Sequence, residues 1–67
     1  MTWAIKNSKT RKWMYGTKYG HGQNTQNTSY NRIKTWETKE LAELEYRHRK
    51  CGKAYKVVPV EIMEVRE

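Results

Sequence analysis

The chain contains no aspartate and no phenylalanine, a single cysteine and a single proline. Each scarcity closes off a class of function. Without Asp, a carboxylate pair for general acid–base work would have to come from the seven glutamates, all of which fall between Glu37 and Glu67, where helix-dipole and ion-pair roles already account for them. The lone Cys51 excludes an internal disulfide, and together with His48 and His21 it offers three soft metal ligands where a structural zinc site takes four. Cys51 and His48 lie one helical turn apart, but both are expected on a buried helix face, where a thiol is inert packing. No stretch is long or apolar enough to serve as a signal peptide or a membrane span. The expectation is a cytoplasmic, non-enzymatic protein with no cofactor, no metal, no membrane partner and no small-molecule substrate.

What the chain has in quantity is positive charge, unevenly placed. From Met1 to Trp36 there are seven basic residues (Lys6, Lys9, Arg11, Lys12, Lys18, Arg32, Lys34) and no acid. From Glu37 onward seven bases are offset by seven acids, so the whole net charge of +7 resides in the first half. A segment of one sign attracts polyanions, of which nucleic acid is the commonest. At 67 residues the chain makes one domain (1–67), near the size at which a single core supplies only a few kcal/mol. A partner, including a second copy of the chain, would add stability.

Periodicity supplies the elements. Thr2 to Lys6 alternates with Trp3 and Ile5 on one face, and Arg11 to Tyr15 alternates with Trp13 and Tyr15 on one face and Lys12 and Met14 on the other. With a turn at Asn7 to Thr10, the first fifteen residues read as a β-hairpin whose inward side is Trp3, Ile5, Trp13 and Tyr15. Residues 16–31 hold three of the four glycines, a tandem Gln-Asn-Thr repeat and no Val, Ile or Leu, and read as a polar loop. Thr, Tyr, Ile and Trp between Thr25 and Trp36 allow an additional strand there. Thr38 is placed to cap a helix from Lys39 to Cys51, a run free of Gly, Pro and β-branched residues, and Gly52 ends it in a left-handed conformation. Leu41, Leu44, His48 and Cys51 would line its buried face. Ala54 to Val65 is rich in Val and Ile and reads as a strand, with Pro59 marking an edge or a bulge. The expected fold is therefore α+β: a small antiparallel sheet, formed by the N-terminal hairpin, the C-terminal strand and an optional extra strand, packed on one helix in the order ββ(β)αβ.

Candidate binding residues follow from charge and chemistry. Lys6, Lys9, Arg11 and Lys12 surround the hairpin turn with no local acid, and a basic hairpin tip can follow a phosphate backbone. Beyond it, Lys18, Tyr19, His21, Gln23, Asn24, Gln26, Asn27, Tyr30, Arg32 and Lys34 carry groups that stack on bases, hydrogen-bond their edges or meet phosphate. Arg47, Arg49, Lys50 and Lys53 form a second basic cluster, which the helix C-terminus also accounts for through its dipole. The pairs Glu43 with Arg47 and Glu45 with Arg49 stand at i, i+4. No phosphate-loop or zinc-finger spacing is present.

The segments Trp3-Ala4-Ile5-Lys6-Asn7 leading to Lys12-Trp13, Thr35-Trp36-Glu37-Thr38-Lys39-Glu40-Leu41-Ala42, and Gly52-Lys53-Ala54-Tyr55-Lys56-Val57-Val58-Pro59-Val60 together resemble small, mostly uncharacterised bacteriophage and mobile-element proteins. The resemblance spans most of the chain apart from residues 16–31, is at the level of fold, and carries over no functional residue. It implies a phage origin, and small phage proteins of this sort often bind and redirect host machinery in the host cytoplasm, including defence nucleases such as CRISPR effectors. The leading expectation is a binding module whose basic half engages DNA, RNA or a host nucleoprotein complex. Two others stand beside it: an inhibitor that docks directly on a host protein through aromatic anchors such as Tyr15, Tyr19, Tyr30 and Trp36, and an assembly component that dimerises through the strand containing Pro59.

Overall fold

A computed structural model describes residues 1–61 as β1 (Thr2–Asn7), β2 (Trp13–Lys18), β3 (Thr25–Ser29), β4 (Thr35–Trp36), α1 (Lys39–His48) and β5 (Tyr55–Val60). The five strands form one antiparallel sheet with the helix packed against it, the α+β arrangement expected from the sequence. Ile62, Met63 and Val65, read above as the end of the last strand, lie outside the described residues.

β1 is the centre of the sheet. Along one edge it pairs with β5 in unbroken register from Thr2↔Val60 to Asn7↔Tyr55. It also pairs with β2 at Lys6↔Trp13 and with β4 at Trp3↔Trp36 and Ala4↔Thr35. Pro59 causes no register shift, and β5 pairs with β1 alone among the described residues, so the proline marks an edge. Ser8 N–H donates to Ala54 O at 2.7 Å. Alternation of bonded and unbonded pairs along an antiparallel ladder then turns the backbone groups of Tyr55, Val57 and Pro59 toward the free side of β5.

Half of residues 16–31 is strand, where the sequence reads as a polar loop. Gly16 to Lys18 extend β2, Thr25 to Ser29 form β3, and the two make a second hairpin joined by residues 19–24, with a bulge between Met14 and Gly16. Threonine favours strands even where no aliphatic residue is present. A polar cross-strand pair, Thr17 Oγ1 donating to Gln26 Oε1 at 2.6 Å, takes the place of apolar packing.

Two faces differ from the pattern inferred above. On β2 it is Met14 that is fully buried, with Ile5 and Cys51, while Trp13 stands opposite Lys6 and is only half-buried. Alternation shows which residues share a face and leaves open which face is covered. On α1 the fully buried residue is Ala42, and Tyr46 packs on the core, whereas Leu41 is 47% exposed, Leu44 is 54% exposed and His48 is exposed. The small Ala42 lets the helix approach the sheet closely, and the two leucines are turned outward. Thr38 does cap the helix, its Oγ1 accepting from Leu41 N–H at 3.2 Å. The helix ends earlier than expected, at His48, and Lys50 takes a left-handed conformation (φ 51°) before Gly52 (φ 84°) does so. The core is then completed by Trp36, Tyr46, Tyr55 and Val57 around Ile5, Met14 and Cys51.

The helix phase has a direct test in thermal melts. Met14→Ala removes a fully buried side chain and is expected to cost about 2–5 kcal/mol, enough to unfold a domain of this size at moderate temperature. Leu41→Ala with Leu44→Ala should change stability by no more than roughly 0.5 kcal/mol per site, because surface changes to a good helix former cost little. The reverse ranking would place the leucines inside.

Candidate nucleic-acid interface

The first hairpin turn is built to present cations. Asn7 Oδ1 accepts from the N–H groups of Lys9 and Thr10, both at 2.9 Å, and Arg11 N–H donates to Asn7 O at 2.8 Å. Arg11 closes the turn at φ 64°, a conformation that costs a non-glycine residue about 1–2 kcal/mol. Asparagine at the start of the turn thus organises the backbone that carries Lys9, Arg11 and Lys12.

Beside this turn the β1–β5 register sets Lys6 directly opposite Lys56. Like charges across a ladder repel. Lys6, Arg11 and Lys56 line a groove of about 360 Å³ whose remaining walls are Asn7, Ser8 and Val58. No carboxylate among the described residues forms an ion pair with any of the three; the ion pairs present are Lys39–Glu43 and Arg49–Glu45. Three cations thus line one groove with no ion pair to a carboxylate among the described residues, an arrangement whose field attracts anions.

The neighbouring cations lie over aromatic rings. Lys6 Nζ is 4.6 Å from the Trp13 ring, Lys12 Nζ is 5.4 Å from that of Tyr30, and the Arg32 guanidinium is 4.6 Å from that of Tyr15. The Tyr30 hydroxyl donates to Thr10 O at 3.1 Å, joining the segment after β3 to the first turn. Lys34 is exposed, and its backbone N–H donates to Met14 O at 3.2 Å.

The other expected binding residues fall elsewhere. Lys18, Tyr19 and Gln23 are exposed at the opposite end of β2 from the basic turn, where the Tyr19 ring meets His48 edge-on, and Asn27 is exposed on β3. Asn24 and Arg49 are occupied internally. Arg49 is held by Glu45 through Nε (3.1 Å) and Nη2 (3.0 Å), and its Nη1 donates to Thr17 Oγ1 at 2.9 Å. Its carbonyl accepts from Gln26 Nε2 at 2.8 Å and Asn24 Nδ2 at 3.2 Å. This polar cluster fastens the helix C-terminus to the second hairpin, so Arg49 belongs to the scaffold. Arg47, Lys50 and Lys53 remain exposed, and Arg47 lines a second groove of about 430 Å³ between α1 and β5 with Glu43, Tyr46, Tyr55, Lys56 and Val57. The residue that sequence reasoning missed is Lys56, whose place opposite Lys6 depends on a pairing fifty residues apart in the chain.

Cys51 is buried, and its burial pushes the thiol upward in pKa, with Glu45 adding to the rise and Arg49 opposing it. Among the described residues no three His, Cys, Asp or Glu side chains gather as a metal site. No protein-family model matches the chain, and no curated protein or solved structure is significantly similar to it.

Alkylation of the native protein should therefore modify Cys51 far more slowly than alkylation of the unfolded chain, with the rate rising at higher pH than an ordinary thiol shows. Because the folded pKa is raised, the corresponding stability is present below the unfolded thiol value and is lost as pH climbs through the folded one. Labelling at the unfolded rate would mean that Cys51 is not under the helix end.

Proposed function

We propose that this protein is a non-enzymatic binding module that takes nucleic acid on its basic hairpin end. The observation that carries the reading is the cross-strand pair Lys6 and Lys56, joined by Arg11 on one groove, none of the three in an ion pair with an acid among the described residues. Their mutual repulsion costs stability in the free protein, and a phosphate backbone relieves it. Arg11 adds a second cost, since it occupies a left-handed position where Gly or Asn would rest without strain. Both costs fall at one place, as they do where binding and stability compete.

The phage-type setting implied by the sequence resemblance extends this proposal: the nucleic acid would be met in the host cytoplasm, free or within a host complex such as a CRISPR effector. Among the described residues no helix is long and apolar enough to cross a membrane. A second reading, direct docking on a host protein, is favoured by the exposed Leu41, Leu44 and Tyr19.

Titration of labelled DNA and RNA at two salt concentrations tests the first reading. Affinity should fall as salt rises, with a log–log slope of about 0.7–0.9 per phosphate contact, and Lys6→Gln, Arg11→Gln and Lys56→Gln together should flatten that slope by roughly two to three units. Arg11→Gly should weaken binding while leaving the melting temperature unchanged or higher, because it removes a cation and the left-handed strain at once. The same three-charge removal at Arg47, Lys50 and Lys53 should matter less. Absence of binding at low salt, with nuclease-resistant capture of a host protein that Leu41→Glu abolishes, would replace this reading with the second.

A further inference from the structure

Trp13, Tyr15 and Tyr30 are large rings that do not belong to the core. None of them packs on the Ile5, Met14 and Cys51 cluster, which takes Trp36, Tyr46, Tyr55 and Val57 instead. Tyr30 is 65% exposed, and Trp13 and Tyr15 are half-buried. They are also close together in the fold. Trp13 and Tyr15 flank Met14 on β2, with Tyr15 at the bulge, and Tyr30 follows Ser29, the cross-strand partner of Trp13.

Each of the three rings carries a cation: Lys6 on Trp13, Lys12 on Tyr30, Arg32 on Tyr15. A cation–ring contact near the surface is weak and readily exchanged. A nucleotide with an unpaired base offers a replacement for both members, a π-face for the ring and a phosphate for the cation. A duplex offers only the phosphate, since its bases are stacked on one another.

We propose that Trp13, Tyr15 and Tyr30 form a stacking platform for unpaired bases, with Lys6, Lys12 and Arg32 released onto the phosphates, so that the ligand is single-stranded nucleic acid. This rests on the nucleic-acid reading above and narrows it. Bases stack whatever their identity, so sequence preference is weak, and single-stranded DNA and RNA share the chemistry.

The test is fluorescence anisotropy with a labelled mixed-sequence 15-mer, as single-stranded DNA, as single-stranded RNA, and as the DNA duplex of the same length, at one salt concentration. Both single strands should bind at least tenfold more tightly than the duplex. Tyr30→Leu, at an exposed position that the fold tolerates, should weaken single-strand binding about 5- to 100-fold without changing the salt slope, and Tyr30→Phe should restore it. Lys12→Gln should lower the slope by about one unit instead. Quenching of tryptophan fluorescence by the unlabelled strand should disappear in Trp13→Leu, provided its melting curve remains cooperative. Duplex binding equal to or tighter than single-strand binding, or a Tyr30→Leu protein that binds like the parent, would overturn the stacking platform and leave a backbone-only interface. Failure of all three ligands at low salt would remove the nucleic-acid reading itself.

Discussion

Six residues, Thr2–Asn7, hold the sheet together by serving three partners at once: β5 along one edge, and β2 and β4. A strand in that position has little freedom of register. Shifting it by one residue would turn Ile5, which is fully buried, onto the opposite face and bring Lys6 into the core. The same register that buries Ile5 against Val57 therefore places Lys6 against both Lys56 and Trp13, and the basic groove is a direct consequence of the packing solution. Fold and candidate site are set by one strand.

A second tie divides the chain's charges into two kinds. In the second half, Arg49 spends its charge on Glu45 and its remaining donors on Thr17, with the side chain only 14% exposed. That cation is part of the structure, and truncating it would leave Glu45 without its partner in a partly dry setting. In the first half Lys6, Lys12 and Arg32 lie over rings, and no cation there pairs with a carboxylate among the described residues. The ion pairs among the described residues, Lys39–Glu43 and Arg49–Glu45, thus both fall in the second half, while the seven cations of the first half, and Lys56 beside them, have none.

Much of this was legible before the structure. The first hairpin, the Thr38 cap and the α+β order follow from local patterns, because each depends on a few neighbouring residues, while Pro59 reads equally as an edge or a bulge until the unbroken β1–β5 register shows an edge. What was not legible depends on what covers a face. Met14 and Trp13 alternate correctly, yet the choice between them turns on which side the helix occupies. The helix phase was misjudged by following leucines, when close approach through Ala42 and the pull of the Arg49 cluster decide it. Residues 16–31 looked like loop for want of aliphatics, and their strands are instead held by Thr17, Gln26 and the Arg49 carbonyl. Lys56 could not be paired with Lys6 without the register of two strands at opposite ends of the chain.

The free side of β5 bears on how many molecules can share one ligand. Of the three residues whose backbone faces outward there, Pro59 has no N–H, and Tyr55 N–H already donates to Gly52 O at 3.3 Å, which leaves Val57 as the one donor without a bond among the described residues. With Lys56 on the same strand, this edge has the features that discourage an added strand. If the protein binds single strands as proposed, copies along a long strand would meet as like-charged neighbours with no sheet to extend between them. Their spacing would follow the length of polymer each one covers, and occupancy would build up site by site, without the clustering that strand-to-strand contact brings.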